Sequence, residues 1–149
     1  MDVAMDSLTV LVVDENLTFL RIARRFLEEI EGVVVIGTIQ GSDDLLERVQ
    51  MMRPDVVLLD ITTSDLPGGI GFISRLRGVL PTVKIIALTL INTDGYRQAA
   101  LEAGADMFLP KADMGIGLLS AIQRIRQIQR EASQQPSPHS STGSQSVGG

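Results

Sequence analysis

A chain of 149 residues with 44% hydrophobic content and only 3% aromatic side chains is sized for one domain around an aliphatic core, with no room for a second of ordinary size. The absence of cysteine excludes a disulfide framework, a thiolate metal site and a cysteine nucleophile, and the single histidine, His139, stands in a polar tail, which argues against histidine catalysis. A net charge of -5 and a pI near 4.8 disfavour direct nucleic-acid binding.

In chain order, residues 1–7 lack the charged and apolar regions of a secretory signal, and no apolar run nears the roughly 18 residues of a bilayer span. A cytoplasmic chain without membrane association is expected. The first aliphatic, β-branched run, 8–13, precedes a segment where Leu20, Ala23, Leu27 and Ile30 recur in steps of three or four, the period of a helix with one apolar face. Arg21, Arg24 and Arg25 on that segment face Glu28 and Glu29 one turn on, as a solvated helix face would. A second run, 33–39, precedes the stripe Leu45, Leu46 and Val49; a third, 55–59, precedes Phe72, Ile73, Leu76 and Val79. The fourth run, 83–88, leads to an alanine-rich segment, 94–103, closed by Gly104 where a helix C-terminus favours a left-handed residue. A weaker fifth run, 107–109, leads to Leu118, Leu119, Ile122, Ile125 and Ile128 along one face.

Runs this short and continuous suit strands buried on both faces. Five strand–helix repeats need crossover connections, and right-handed crossovers place helices on both sides of a parallel sheet. The predicted fold is therefore α/β, a doubly wound five-stranded parallel sheet with five helices, within a domain spanning 1–131. Residues 132–149, rich in Ser, Gln, Pro and Gly, are expected to form a disordered tail.

Ligands of open α/β sheets bind beyond the carboxyl ends of the strands. Those ends carry Asp14 and Glu15 after the first run, Asp60 after the third, Thr89 after the fourth and Lys111 after the fifth. Three acids, a hydroxyl and an ammonium share one edge if strands one, three, four and five are neighbours. Crowded carboxylates stay ionised most easily around a hard divalent cation, and Mg2+ suits a site of one or two carboxylates completed by water and phosphate oxygens. Asp60 can then attack a phosphoryl group in line to give an aspartyl phosphate, with Lys111 and Thr89 on the phosphoryl oxygens. Plainer readings exist: Asp14 as a helix N-cap, Thr89 as an ordinary strand end, Lys111 as a solvated charge. Asp60 has no helix immediately after it to cap.

The stretches Val10-Leu11-Val12-Val13-Asp14-Glu15-Asn16, Pro54-Asp55-Val56-Val57-Leu58-Leu59-Asp60-Ile61, Ile85-Ile86-Ala87-Leu88-Thr89 and Ala103-Gly104-Ala105-Asp106-Met107-Phe108-Leu109-Pro110-Lys111 together resemble the receiver domain of two-component response regulators, of the stand-alone, chemotaxis-regulator-like kind, over residues 8–130. The resemblance implies a flavodoxin-like sheet of order 2-1-3-4-5. It implies Asp60 as phosphoacceptor, Mg2+ held by Asp14, Glu15, Asp60 and the backbone carbonyl of Thr62, and Lys111 on the phosphoryl group. It also implies a switch in which Thr89 moves toward the phosphoryl oxygens and Phe108 turns inward, signalling to a downstream protein through the fourth helix, fifth strand and fifth helix. The donor would be a histidine kinase or phosphotransfer protein, a homodimer is admitted, and the only catalysis would be the chain's own phosphotransfer and dephosphorylation.

Some positions depart from that pattern. Glu15 stands where aspartate is usual, displacing the ligand oxygen by about 1.5 Å. Ser64 replaces a customary proline, and Leu90 follows Thr89 where a small residue is typical. Ala112 follows Lys111, as in a subgroup whose members often carry a helix-turn-helix domain. The leading expectation is a phosphorylated single-domain receiver; the alternative, raised by Glu15, Ser64 and Leu90, is a degenerate receiver acting as a phosphate-independent interaction module. A phosphohydrolase of the haloacid-dehalogenase type would need a second aspartate where Thr62 stands, and a flavin binder would need aromatics to stack on the cofactor.

Overall fold

The computed structural model describes residues 7–41, 44–62 and 69–134; Ser64, His139 and the tail from 135 onward lie outside the described residues. Five parallel strands, β1 (Leu8–Val13), β2 (Val33–Ile39), β3 (Val56–Asp60), β4 (Lys84–Thr89) and β5 (Met107–Pro110), form one sheet in the order β2-β1-β3-β4-β5. The helices are α1 (Leu17–Glu28), α2 (Leu45–Met52), α3 (Gly69–Val79), α4 (Asp94–Ala103) and α5 (Met114–Gln134), with a turn of 3-10 helix, Lys111–Asp113, leading into the last. The expected doubly wound architecture and strand order are those found. Among the described residues, no helix is long and apolar enough to cross a membrane.

Alternation along the strands explains the continuous apolar runs. Val10, Val12, Val56, Leu58, Ile86 and Leu88 pack with α1 and α5 on one face, while Leu11, Val13, Val57, Leu59, Ile85 and Ala87 pack with α2, α3 and α4 on the other. With apolar partners on both sides, neither set of positions can be polar.

Several boundaries differ from expectation by one to three residues. β3 begins at Val56 rather than Asp55, because Asp55 is occupied in an exchange with β1: its Oδ2 accepts from the Thr9 N–H at 2.8 Å and the Thr9 hydroxyl at 3.0 Å. At the other end Asp60 joins the ladder opposite Leu88. α5 continues to Gln134, three residues past the compositional change at 131.

Candidate functional site

The strand order sets β1, β3, β4 and β5 side by side, and the register pairs Val13 with Leu59, Asp60 with Leu88 and Thr89 with Pro110. Residues just past or at these positions therefore share one edge of the sheet. Asp14, Asp60 and Thr89 are the buried polar side chains there, 3%, 5% and 0% exposed.

Asp14 does not cap α1. Asn16 does, its side chain accepting from the Phe19 N–H at 2.9 Å, while Asp14 Oδ1 accepts from the Asn16 N–H at 2.8 Å. The other oxygen, Oδ2, lies 2.6 Å from the Lys111 ammonium, an ion pair by distance but without the direction of a hydrogen bond. Burial pushes the Asp14 carboxyl above its usual pKa; Lys111 and the Asn16 N–H pull it back, and the nearby Asp60 charge adds to the rise.

Asp60 divides its two oxygens between different partners. Oδ1 accepts from the Thr62 N–H at 3.0 Å, and Oδ2 faces the Lys111 ammonium at 3.6 Å. Lys111 thus stands between the two carboxylates, its side chain only 10% exposed, with its ammonium 4.3 Å from the centre of the Phe19 ring. The ring's negative face and two carboxylates hold the cation from three sides.

Thr89 is linked to the segment after Asp60. Its hydroxyl accepts from the Ile91 N–H at 2.9 Å and from the Thr62 hydroxyl at 3.3 Å, and the Thr62 hydroxyl accepts from the Leu90 N–H at 2.9 Å. The Leu90 side chain points outward, 72% exposed. Phe108 is buried in the core face covered by α4, with the Arg97 guanidinium 5.9 Å from its ring centre.

Glu15 does not join the group. Its side chain runs along Gly41, where an added Cβ would fall 3.5 Å from Glu15 Cγ and 3.8 Å from Oε2, and its backbone carbonyl accepts from Gln40 at 3.1 Å. Among the described residues, no three acidic or histidine side chains converge as a metal-ligating set. In this structure Asp14 and Asp60 stand together around Lys111, while the Glu15 side chain lies beside Gly41, past the end of β2.

The pair still fits a divalent cation. Two buried carboxylates stand at adjacent strand ends, and one oxygen of Asp14 has no well-directed donor, so it keeps its capacity to bind a cation. Mg2+ accepts one or two carboxylates supplemented by a backbone carbonyl and water.

Three residues here were not singled out for the site from sequence: Asn16, Phe19 and Tyr96. Asn16 carried a readable signal, an Asx three residues before Phe19 at a helix start. Phe19 and Tyr96 carried none, because where a long side chain reaches depends on the folded neighbours. The Tyr96 hydroxyl donates to the Ile61 carbonyl, and burial together with the Asp60 charge raises its pKa above the usual phenol value.

The chain matches the response regulator receiver domain family over residues 10–123. It is 32% identical over 119 residues to the response regulator GacA of Pseudomonas aeruginosa, covering 80% of this chain and 54% of that protein. It is also 32% identical over 109 residues to a protein-glutamate methylesterase/protein-glutamine glutaminase of Desulfotalea psychrophila, covering 72% of this chain and 30% of that one. The chain thus spans about half the length, or less, of these curated relatives. Among solved structures, the isolated REC domain of RcsB from Salmonella enterica serovar Typhimurium, in the presence of phosphomimetic BeF3-, has a TM-score of 0.69 at 26% identity, covering 79% of this chain and 89% of that one.

Proposed function

The chain belongs to the response regulator receiver domain family, and from that premise we propose that it accepts a phosphoryl group on Asp60 in a Mg2+-dependent reaction and signals through α4, β5 and α5. The observation that carries this reading is the Lys111 ammonium, shielded from solvent between Asp14 at 2.6 Å and Asp60 at 3.6 Å. A lysine so placed is paired with carboxylates at rest and is ready to receive phosphoryl oxygens.

With Oδ1 of Asp60 engaged by the Thr62 N–H, Oδ2 is the nucleophile. It forms a bond to phosphorus while the bond from phosphorus to the donor's leaving group breaks. Lys111 then neutralises the transferred oxygens, and the Thr89 hydroxyl, which accepts from Thr62 and from the Ile91 N–H, can donate its own proton to a phosphoryl oxygen. Mg2+ would be held by Asp14, Asp60 and the Thr62 carbonyl, with Glu15 joining after a rotamer change, and supplies charge neutralisation when bound.

The phosphoryl donor is a cytoplasmic histidine kinase or phosphotransfer protein, and the output is contact with a downstream protein or a second copy. The chain turns over no metabolite beyond its own phosphotransfer and dephosphorylation. This reading concerns the receiver unit, in a chain of any length. A second reading, a receiver working by phosphate-independent protein contact, has one observation in its favour: Glu15 lies beside Gly41 rather than Asp60.

Incubation with acetyl phosphate and Mg2+, followed by intact-mass measurement, separates the two. The wild type should gain the mass of one phosphoryl group; Asp60→Asn, and the wild type without divalent cation, should not. A wild type that gains nothing leaves the second reading standing.

A further inference from the structure

Tyr96 is the chain's single tyrosine, and the phosphotransfer reading does not use it. It lies in the first turn of α4, where the Thr93 cap accepts from its N–H at 3.2 Å. From there its hydroxyl donates to the Ile61 carbonyl. That carbonyl and the Thr62 N–H belong to one planar peptide, with oxygen and hydrogen pointing in opposite directions. The same N–H donates to Asp60 Oδ1 at 3.0 Å. One rigid peptide therefore has the Tyr96 phenol at its oxygen end and the Asp60 carboxylate at its hydrogen end.

We propose that Tyr96 is a positioning residue for phosphoryl acceptance: through the peptide joining Ile61 to Thr62, its phenol fixes the Asp60 carboxylate with Oδ2 toward Lys111 and couples α4 to the charge at Asp60. The inference rests on Asp60 being the phosphoacceptor. Two effects carry it. A donor on the carbonyl resists rotation of the peptide plane, and rotation would withdraw the N–H from Oδ1. It also polarises the peptide, making the N–H a stronger donor, as in any chain of hydrogen bonds.

Coupling between two sites is reciprocal. When Oδ2 becomes esterified to phosphorus, Oδ1 changes from a carboxylate oxygen to a carbonyl oxygen, a weaker acceptor. The Thr62 N–H is then held less firmly, and so is the phenol at the other end of the peptide. α4 is free to respond, since Ala100 is its one buried residue.

The test compares wild type, Tyr96→Phe and Asp60→Asn. With saturating Mg2+ and acetyl phosphate, Tyr96→Phe should be phosphorylated about 5-fold more slowly than wild type, the loss expected for one hydrogen bond of ~1 kcal/mol. Its Thr62 amide proton should move upfield, a shift that general loosening of α4 would not direct to that residue. In the wild type itself, the ring Cζ resonance of the single tyrosine should shift when beryllofluoride and Mg2+ are added. This measurement needs no variant to fold. Equal phosphorylation rates with an unmoved Thr62 amide, or a Cζ resonance indifferent to beryllofluoride in a protein that acetyl phosphate does modify, overturn the role of Tyr96. A wild type that acetyl phosphate leaves unmodified instead overturns the parent reading, and this inference with it.

Discussion

Asp14 gives up stability to serve the pocket. Its folded pKa is raised, chiefly by desolvation, above the ordinary 3.8. Between 3.8 and that higher value the native protein binds more protons than the unfolded chain. The contribution of Asp14 to stability is therefore fully present below 3.8 and is lost as pH rises through the folded pKa. At neutral pH the ionised side chain is a net cost that Lys111 only partly offsets. Asp14→Asn should accordingly stabilise the metal-free protein at pH 7, since Asp60 remains as a counter-ion for Lys111 while the desolvated second charge is gone. Urea titrations across pH should show this advantage shrinking as the wild-type carboxyl protonates. Added Mg2+ should raise the midpoint of the wild type and not of the variant. A variant less stable at pH 7 would mean that the pairing with Lys111 outweighs desolvation. From the sequence, Asp14 was legible as important but open between cap and ligand, because both roles use an acid after a strand; the Asn16 cap of α1 removes the first of these.

At the scale of elements, the joint between α3, β4 and β5 depends on Arg77, which no sequence pattern marks, since an arginine on a helix is ordinarily solvated. Its guanidinium donates to the Gly104 carbonyl at 2.7 and 3.1 Å, to the Pro81 carbonyl at 3.0 Å and to Asp106 at 2.7 Å. Asp106 in turn accepts from the Ile85 N–H at 2.8 Å. Gly104, legible from sequence as a helix stop, serves twice: its φ of 121° ends α4, and the lack of a Cβ leaves room for Arg77, whose Cβ and Cγ would lie 3.2 Å from one. Arg77→Ala takes the guanidinium donors from several carbonyls and one of two donors from Asp106, and should cost on the order of 2–4 kcal/mol, read as a lower urea midpoint at unchanged slope. Arg77→Lys should recover less than half of that, because a single ammonium cannot replace a planar fork. Full recovery by lysine would show that only the charge opposite Asp106 matters.

For the whole molecule, the sheet was legible because both of its faces are buried and its strands therefore write themselves as aliphatic runs; the site was legible because four of its groups close those runs. What remained hidden were the reaches of Glu15, Phe19 and Tyr96, settled by rotamers that only packed neighbours select. The same packing predicts where the molecule yields. α1 is anchored by Leu20, Ala23 and Leu27 and α3 by Phe72, Ile73 and Leu76, whereas α4 buries only Ala100. Each large aliphatic side chain buried contributes roughly 1.5–3 kcal/mol, so α4 forgoes several kcal/mol of anchorage and should open at lower cost than its neighbours. Yet α4 carries Tyr96, tied to the segment after Asp60, and Arg97, over the ring of Phe108. Hydrogen exchange should therefore be faster across 94–103 than across 17–28 in the unmodified protein. Beryllofluoride with Mg2+ should change the exchange of 94–103 the more. An equal response in both helices would mean that the charge at Asp60 is felt by the sheet as a whole, and that the weakly anchored helix is not the element it moves.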